Sequence, residues 1–205
     1  MMKASIIICM LFAVVTACPA QNKKRMNYPQ VSESIERIDT GMFDDDQTSK
    51  TVRMPDGSEM RYQKSNAGYS LRVYDPKTYY AIVKNYYPNG FIKEKGVSFN
   101  ASPCPLGNWY FFSEEKSLQR KNNYDNGYRF DINDVIKFLN GKKIPYSLGA
   151  LPAGGKHTEI FKGTEGHTPV WYIHWPAKAD LIEILTLSGA DGKILNRTYE
   201  KYDNS

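Results

Sequence analysis

Apolar and polar residues alternate along much of the chain, and turn residues cut the alternation into short runs. Thr51-Val52-Arg53-Met54 and Glu59-Met60-Arg61-Tyr62 flank Pro55-Asp56-Gly57. Proline presets φ and glycine supplies a positive φ, so this stretch predicts a hairpin. Tyr69 to Tyr74 sets Tyr, Leu and Val against Ser and Arg, the pattern of a strand with one dry face. Asp75-Pro76-Lys77 turns the chain, and Tyr79 to Tyr87 is a strongly apolar strand ending at Pro88-Asn89-Gly90. Phe91 to Phe99 returns, with Gly96 marking a bulge or kink. Residues 99–107 (FNASPCPLG) read as a long loop holding Cys104 between two prolines.

The period changes after residue 128. Ile132, Val135, Ile136 and Leu139 fall at i, i+3, i+4 and i+7, one face of a helix. Asp131 is a good N-cap and Gly141 a good stop. Gly149 to Gly155 is a loop. Strands are predicted at Glu159-Ile160-Phe161, Val170 to Trp175 and Leu181 to Leu187, and Asp191-Gly192-Lys193 turns into a last short strand. The fold class expected is α+β and mostly β: an antiparallel hairpin sheet, then a small part with a helix on an antiparallel sheet. Upstream, Asp44-Asp45-Asp46 lacks the alternating ligands, glycine and distal glutamate of a calcium loop, and reads as a solvated turn.

The N-terminus suggests an address. Ala4 to Val15 is an apolar run behind Met1-Met2-Lys3, too short for a span of ~20 residues and of signal-peptide length. Val15-Thr16-Ala17-Cys18 resembles the lipobox of bacterial lipoproteins. That resemblance implies cleavage before Cys18 and a diacylglycerol on its thiol. Ordinary cleavage after Ala20 is the alternative. Acyl chains would hold the chain on a membrane at ~0.8 kcal/mol per buried methylene. Residues 19–33 carry no apolar periodicity, and Lys23, Lys24 and Arg25 lie close to the anchor. No acidic pair follows Cys18, unlike the export signal of Bacteroidota surface lipoproteins, so the resemblance implies a periplasmic face; the expected location is the outer membrane. The chain thus divides into a signal peptide (1–17), a lipidated tether (18–45), a β-repeat region (46–128) and an α+β C-terminal region (129–205).

Tyr86-Tyr87-Pro88-Asn89-Gly90-Phe91-Ile92-Lys93-Glu94-Lys95-Gly96 resembles the MORN-variant repeat. The next unit of that family opens with glycine, any residue, tryptophan and aromatics, as Gly107-Asn108-Trp109-Tyr110-Phe111-Phe112 does. Its turn departs from the pattern: Glu114-Glu115-Lys116-Ser117-Leu118 has lost the glycine. Asn123 to Tyr128 opens a degenerate third unit. The resemblance covers about residues 85–128 and implies stacked hairpins sharing one apolar sheet. The family includes toxin–antitoxin components such as YwqK-like antitoxins, so the resemblance also implies an immunity-type role. The helix and strands after 128 distantly resemble half of a PepSY-type domain.

Composition narrows the chemistry. Of 205 residues 41% are hydrophobic and 13% aromatic, with 15 tyrosines, which suits half-buried strands. A net charge of +5 is mild and lacks the clustered Lys/Arg of a nucleic-acid binder. With Cys9 in the leader and Cys18 lipidated, Cys104 is alone and forms no internal disulfide. Its flanking prolines deny it the helix start of a papain-like or NlpC/P60-like nucleophile. His157, His167 and His174 lie near Glu159 and Glu165, but no HExxH or i, i+4 pair occurs. No catalytic residue, metal or cofactor is therefore expected. The candidate binding surface is Tyr86, Tyr87, Trp109, Tyr110, Trp171 and Trp175, because Tyr and Trp dominate binding hot spots. The expected job is a non-catalytic, membrane-anchored module with a protein partner in the cell envelope. A structural or assembly lipoprotein binding an envelope component is the alternative. A hydrolase using Cys104 or the histidines comes third.

Overall fold

The computed structural model describes residues 28–44, 46–100 and 102–202. The expected signal peptide, Cys18 with its expected lipidation, and the part of the expected tether before Tyr28 lie outside these residues.

The fold is α+β and mostly β. Seven strands form one antiparallel sheet in chain order: β1 (Ser49–Arg53), β2 (Glu59–Ser65), β3 (Gly68–Tyr74), β4 (Tyr80–Tyr86), β5 (Ile92–Phe99), β6 (Pro105–Phe112) and β7 (Leu118–Asn123). A helix, α1 (Ile132–Lys142), follows. A second antiparallel sheet has four strands, also in chain order: β8 (Glu159–Glu165), β9 (Thr168–Lys178), β10 (Leu181–Ser188) and β11 (Ile194–Lys201).

Three hairpins of the first sheet share one turn. In each, the residue at the end of the strand donates to and accepts from the far side of a three-residue loop. The pairs are Met54 N–H to Ser58 O (2.9 Å), Tyr87 N–H to Phe91 O (2.9 Å) and Ser113 N–H to Ser117 O (2.9 Å). Each closes with a residue of positive φ: Gly57 (86°), Gly90 (83°) and Lys116 (65°). This is a three-residue loop with a left-handed closing residue. The glycine-free sequence Glu114-Glu115-Lys116 makes the same turn, with lysine carrying the left-handed conformation. The Lys116 ammonium lies 4.0 Å above the Phe91 ring, which ties this turn to its neighbour.

The helix ends later than expected. Asp131 does cap it, accepting from Asn133 and Asp134 N–H in a capping box. Gly141, however, lies inside the last turn, and Lys143 takes the left-handed cap (φ 57°). Lys143 N–H reaches Asn140 O (3.1 Å) and Ile144 N–H reaches Leu139 O (2.9 Å). Those bonds end the helix whichever residue stands at 141. The loop after β5 is also shorter than expected, since β6 begins at Pro105 and pairs with Ser98. The register of β5 against β6 shifts between Lys95 and Val97, so Gly96 does mark a bulge.

One face of the seven-stranded sheet is covered. Tyr80, Val97, Phe99 and Leu106 of that face join Ile132, Val135, Ile136 and Leu139 of α1 and Ile160, Trp171, Ile173, Leu185 and Leu187 of the second sheet in one core. Further along the same face, Leu71, Tyr86, Ile92, Tyr110 and Phe112 form a second cluster with Ile38. Residues 28–38 lie over this part as a strap. Ile38 N–H donates to Gly90 O (3.0 Å), Ile92 N–H donates to Glu36 O (3.0 Å), and Arg37 bridges Phe91.

Candidate functional site

The sheet register separates the six aromatic candidates. Tyr86 (4% exposed), Tyr110 (6%) and Trp171 (1%) point into the two cores. They are interior side chains, placed there by the strand's two-residue period, and the fold does not present them to a partner. Tyr87, Trp109 and Trp175 are half-buried. Tyr87 donates its hydroxyl to Phe112 O (2.9 Å), and Trp175 packs against the inter-sheet core. Trp109 lies on the opposite, open face of the first sheet. The six therefore do not form one surface.

Trp109 anchors a different cluster. Cross-strand partners place Arg61, Arg72, Val83 and Gly96 in one row across this face, where Leu151 O meets Arg61 (2.6 Å) and the Trp109 end stays open. The next row reads Gln63, Ser70, Asn85, Glu94 and Phe111. Trp109 reaches the first row by lying flat over Gly96. A Cβ at Gly96 would sit 2.3 Å from the indole, so only glycine leaves room for the ring. The indole Nε1 donates to Val97 O (2.9 Å), which fixes the ring plane. Tyr124 meets it edge-on at 6.1 Å, and Arg120 stacks on Phe111 at 4.1 Å. Asn85 Nδ2 donates to Glu94 Oε1 (2.7 Å). Together Trp109, Phe111, Tyr124, Arg72, Asn85 and Glu94 line a groove of about 250 Å³. A wider cleft of about 570 Å³ shares Asn85 and Glu94 with it and runs on past Gln63, Lys64 and Lys93.

The groove brings an aromatic platform beside one cation and one carboxylate. That composition suits contact and orientation of a ligand. Sequence reasoning found Trp109 but missed its neighbours. The signal available was row membership, which requires the strand register.

The other polar clusters hold the fold together. Lys95 is 1% exposed and donates to Glu36 Oε1 (2.9 Å) and to Ser34 O. Lys84 reaches Glu36 Oε2 (2.5 Å). Burial pushes the Glu36 carboxyl up, but the hydrogen bonds from Lys84 and Lys95 outweigh it and leave the group below its ordinary value. On β8, Lys162 donates to Asp125 Oδ1 (2.6 Å) and Tyr124 O (3.0 Å). Asp125 Oδ2 accepts from Gly107 N–H (3.0 Å) and from the Tyr28 hydroxyl. One carboxylate thus ties strap, first sheet and second sheet together.

Cys104 is fully buried, and burial pushes its thiol up to about 12. A neutral, enclosed thiol is a poor nucleophile. His174 meets Phe161 edge-on at 5.1 Å, His157 contacts Gly154 O (3.2 Å) and His167 is exposed at the β8–β9 turn. Among the described residues no three His, Cys, Asp or Glu side chains are grouped to hold a metal ion. No helix among them is long and apolar enough to cross a membrane. No family model matches the chain, and neither a curated protein nor a solved structure matches it.

Proposed function

We propose that this chain is an envelope-anchored lipoprotein, held by acyl groups on Cys18, that acts as a non-catalytic protein-binding module of the immunity or antitoxin kind. It sits on the outer membrane and faces the periplasm. The observation that carries the reading is the half-covered sheet. One face is sealed by the second sheet, α1 and the strap, while the open face offers Trp109, Phe111, Tyr124 and Arg72 around a groove. Aromatic residues and arginine are the residue types that supply most binding energy at protein interfaces. The buried thiol of Cys104 also favours binding over nucleophilic chemistry. Anchoring would raise the local concentration of the module where its partner arrives.

One feature favours a second reading, an assembly lipoprotein that binds peptidoglycan. The Trp109 Nε1–H is used internally, so its indole offers only a flat apolar face beside Asn85 and Glu94. A sugar ring stacks on such a face. Affinity capture from detergent-solubilised membranes separates the two, using tagged full chain with Cys18 intact and a Trp109→Ala control. One stoichiometric protein, toxic when expressed alone and lost with Trp109→Ala, is the expected result. Capture of peptidoglycan fragments instead would reverse the order of the readings.

A further inference from the structure

Four strands end the two sheets: β1, β7, β8 and β11. An edge strand presents unpaired N–H and C=O groups and is a template for another strand. β1 is short, at five residues. β7 carries Arg120 and Lys121 in adjacent positions, and the latter is engaged by Glu33 (2.6 Å). β8 has the N–H and C=O of Ile160 taken by the Ser102 hydroxyl. β11 differs from all three. It runs for eight residues, every one of them exposed, and includes Ile194 (39%), Leu195 (51%) and Tyr199 (53%). Its Arg197 N–H is met by Oδ1 of the adjacent Asn196 (2.8 Å), a local substitute for a strand partner.

The charges along β11 select what it pairs with. Two copies joined antiparallel about a two-fold axis keep each face of the sheet continuous, so paired residues differ by an even number of positions. Centring the axis on Arg197 sets Arg197 against itself. Centring it on Tyr199 sets Arg197 against Lys201. Centring it on Glu200 sets Glu200 against itself. Like charges directly opposite are unfavourable. Centring on Asn196 also avoids them but pairs only residues 194–198 of the strand, whereas centring on Thr198 avoids them and pairs residues 195–201. Thr198 faces Thr198, Asn196 faces Glu200, Leu195 faces Lys201, and Arg197 faces Tyr199 on both sides of the axis. Arg197 is already neutralised by Glu183 (3.1 Å), which frees its guanidinium plane to stack on the opposing ring.

We propose that β11 is a dimerisation edge, pairing antiparallel with β11 of a second copy in the register centred on Thr198 and joining the two four-stranded sheets. The proposal is independent of what the groove binds.

The test is sedimentation of the full chain in detergent together with single-cysteine cross-linking at positions 197, 198 and 199. In the Thr198 register the two Cα atoms at 198 lie ~4.5–5.5 Å apart, within disulfide reach, whereas 197 and 199 meet their own copies only diagonally. The expected results are a concentration-dependent dimer and a Thr198→Cys disulfide, located by peptide mass spectrometry, that far exceeds those of Arg197→Cys and Tyr199→Cys. Tyr199→Lys places a lysine against Arg197 and should weaken the dimer about tenfold, with unchanged circular dichroism. A monomer up to about 0.1 mM would overturn the interface. A dimer that cross-links best at 197 or 199, or at none of the three, would overturn the register.

Discussion

The two apolar clusters beneath the seven-stranded sheet are closed in different ways. Between the sheets, the lid is regular: α1 and β8–β10 bring Ile132, Val135, Leu139, Ile160, Ile173, Leu185 and Leu187 over Phe99 and Leu106, each nearly or fully buried. Their backbone groups are satisfied within helix and ladder, so the lid brings few polar demands with it. Under the strap, the lid is irregular. Its Ser34 carbonyl and Glu36 carboxylate have no ladder to meet them, and the sheet answers with Lys95 and Lys84. A lysine placed in a core is tolerated because the cover above it supplies oxygen atoms. An irregular cover and a buried cation are thus two halves of one solution.

Leu139→Ala attacks the regular lid and should have the largest effect. Leu139 is fully buried, so truncation should cost about 3–4 kcal/mol, read as a drop in denaturation midpoint relative to wild type that is equally large at pH 7 and pH 4. Glu36→Ala attacks the irregular lid. It leaves Lys95 buried without its carboxylate and should cost about 3 kcal/mol, at the low end for a broken buried pair because Glu36 is itself 28% exposed. Its pH signature differs. The folded-state carboxyl titrates below its ordinary value of 4.5, so its stabilisation is complete above that pH and is lost as pH falls through the depressed folded value. Wild-type stability should therefore drop on acidification in a way that Glu36→Ala does not. Equal pH profiles for the two proteins would break the contrast between the lids. Gly141→Ala is smaller and favourable. No heavy atom lies within 4 Å of the added methyl, and the residue is helical, so unfolding should become harder by about 0.5–1 kcal/mol. The smallest change is Lys116→Gly. Relief of the left-handed lysine is offset by loss of its contact with Phe91, leaving a shift within about 0.5 kcal/mol.

Local grammar made most of the elements legible. Pro55-Asp56-Gly57 and Pro88-Asn89-Gly90 gave their hairpins away, and the spacing of Ile132, Val135, Ile136 and Leu139 marked α1 and its buried face. What stayed hidden depends on contacts far apart in sequence. The Phe91–Phe99 run looks like a strand with a charged face, yet Lys95 is interior, because its partner Glu36 is 59 residues away. Trp109 reads as one aromatic among many until the register lays it over Gly96. Tyr86 and Tyr110 look equally fit for the surface, but strand pairing brings both to the covered side. The helix end was misplaced for a local reason. Glycine is the common stop, and lysine at 143 took the left-handed position instead.

The strap also determines how this molecule responds to force. Its attachments are spread along the chain: Tyr28 to Asp125, Glu33 to Lys121, Ser34 to Lys95, Glu36 to Lys84, and Ile38 to Gly90. A pull at the N-terminal end directed away from the sheet loads these rungs singly, beginning with Tyr28, and peels the strap at low tension. A pull along the strap loads them in parallel and meets the sum of their resistance. Asp125 keeps its bonds to Gly107 and Lys162 when Tyr28 leaves, so the first rung can give without parting the two sheets. The spacing of these contacts predicts a strap that is soft to lifting and stiff to dragging.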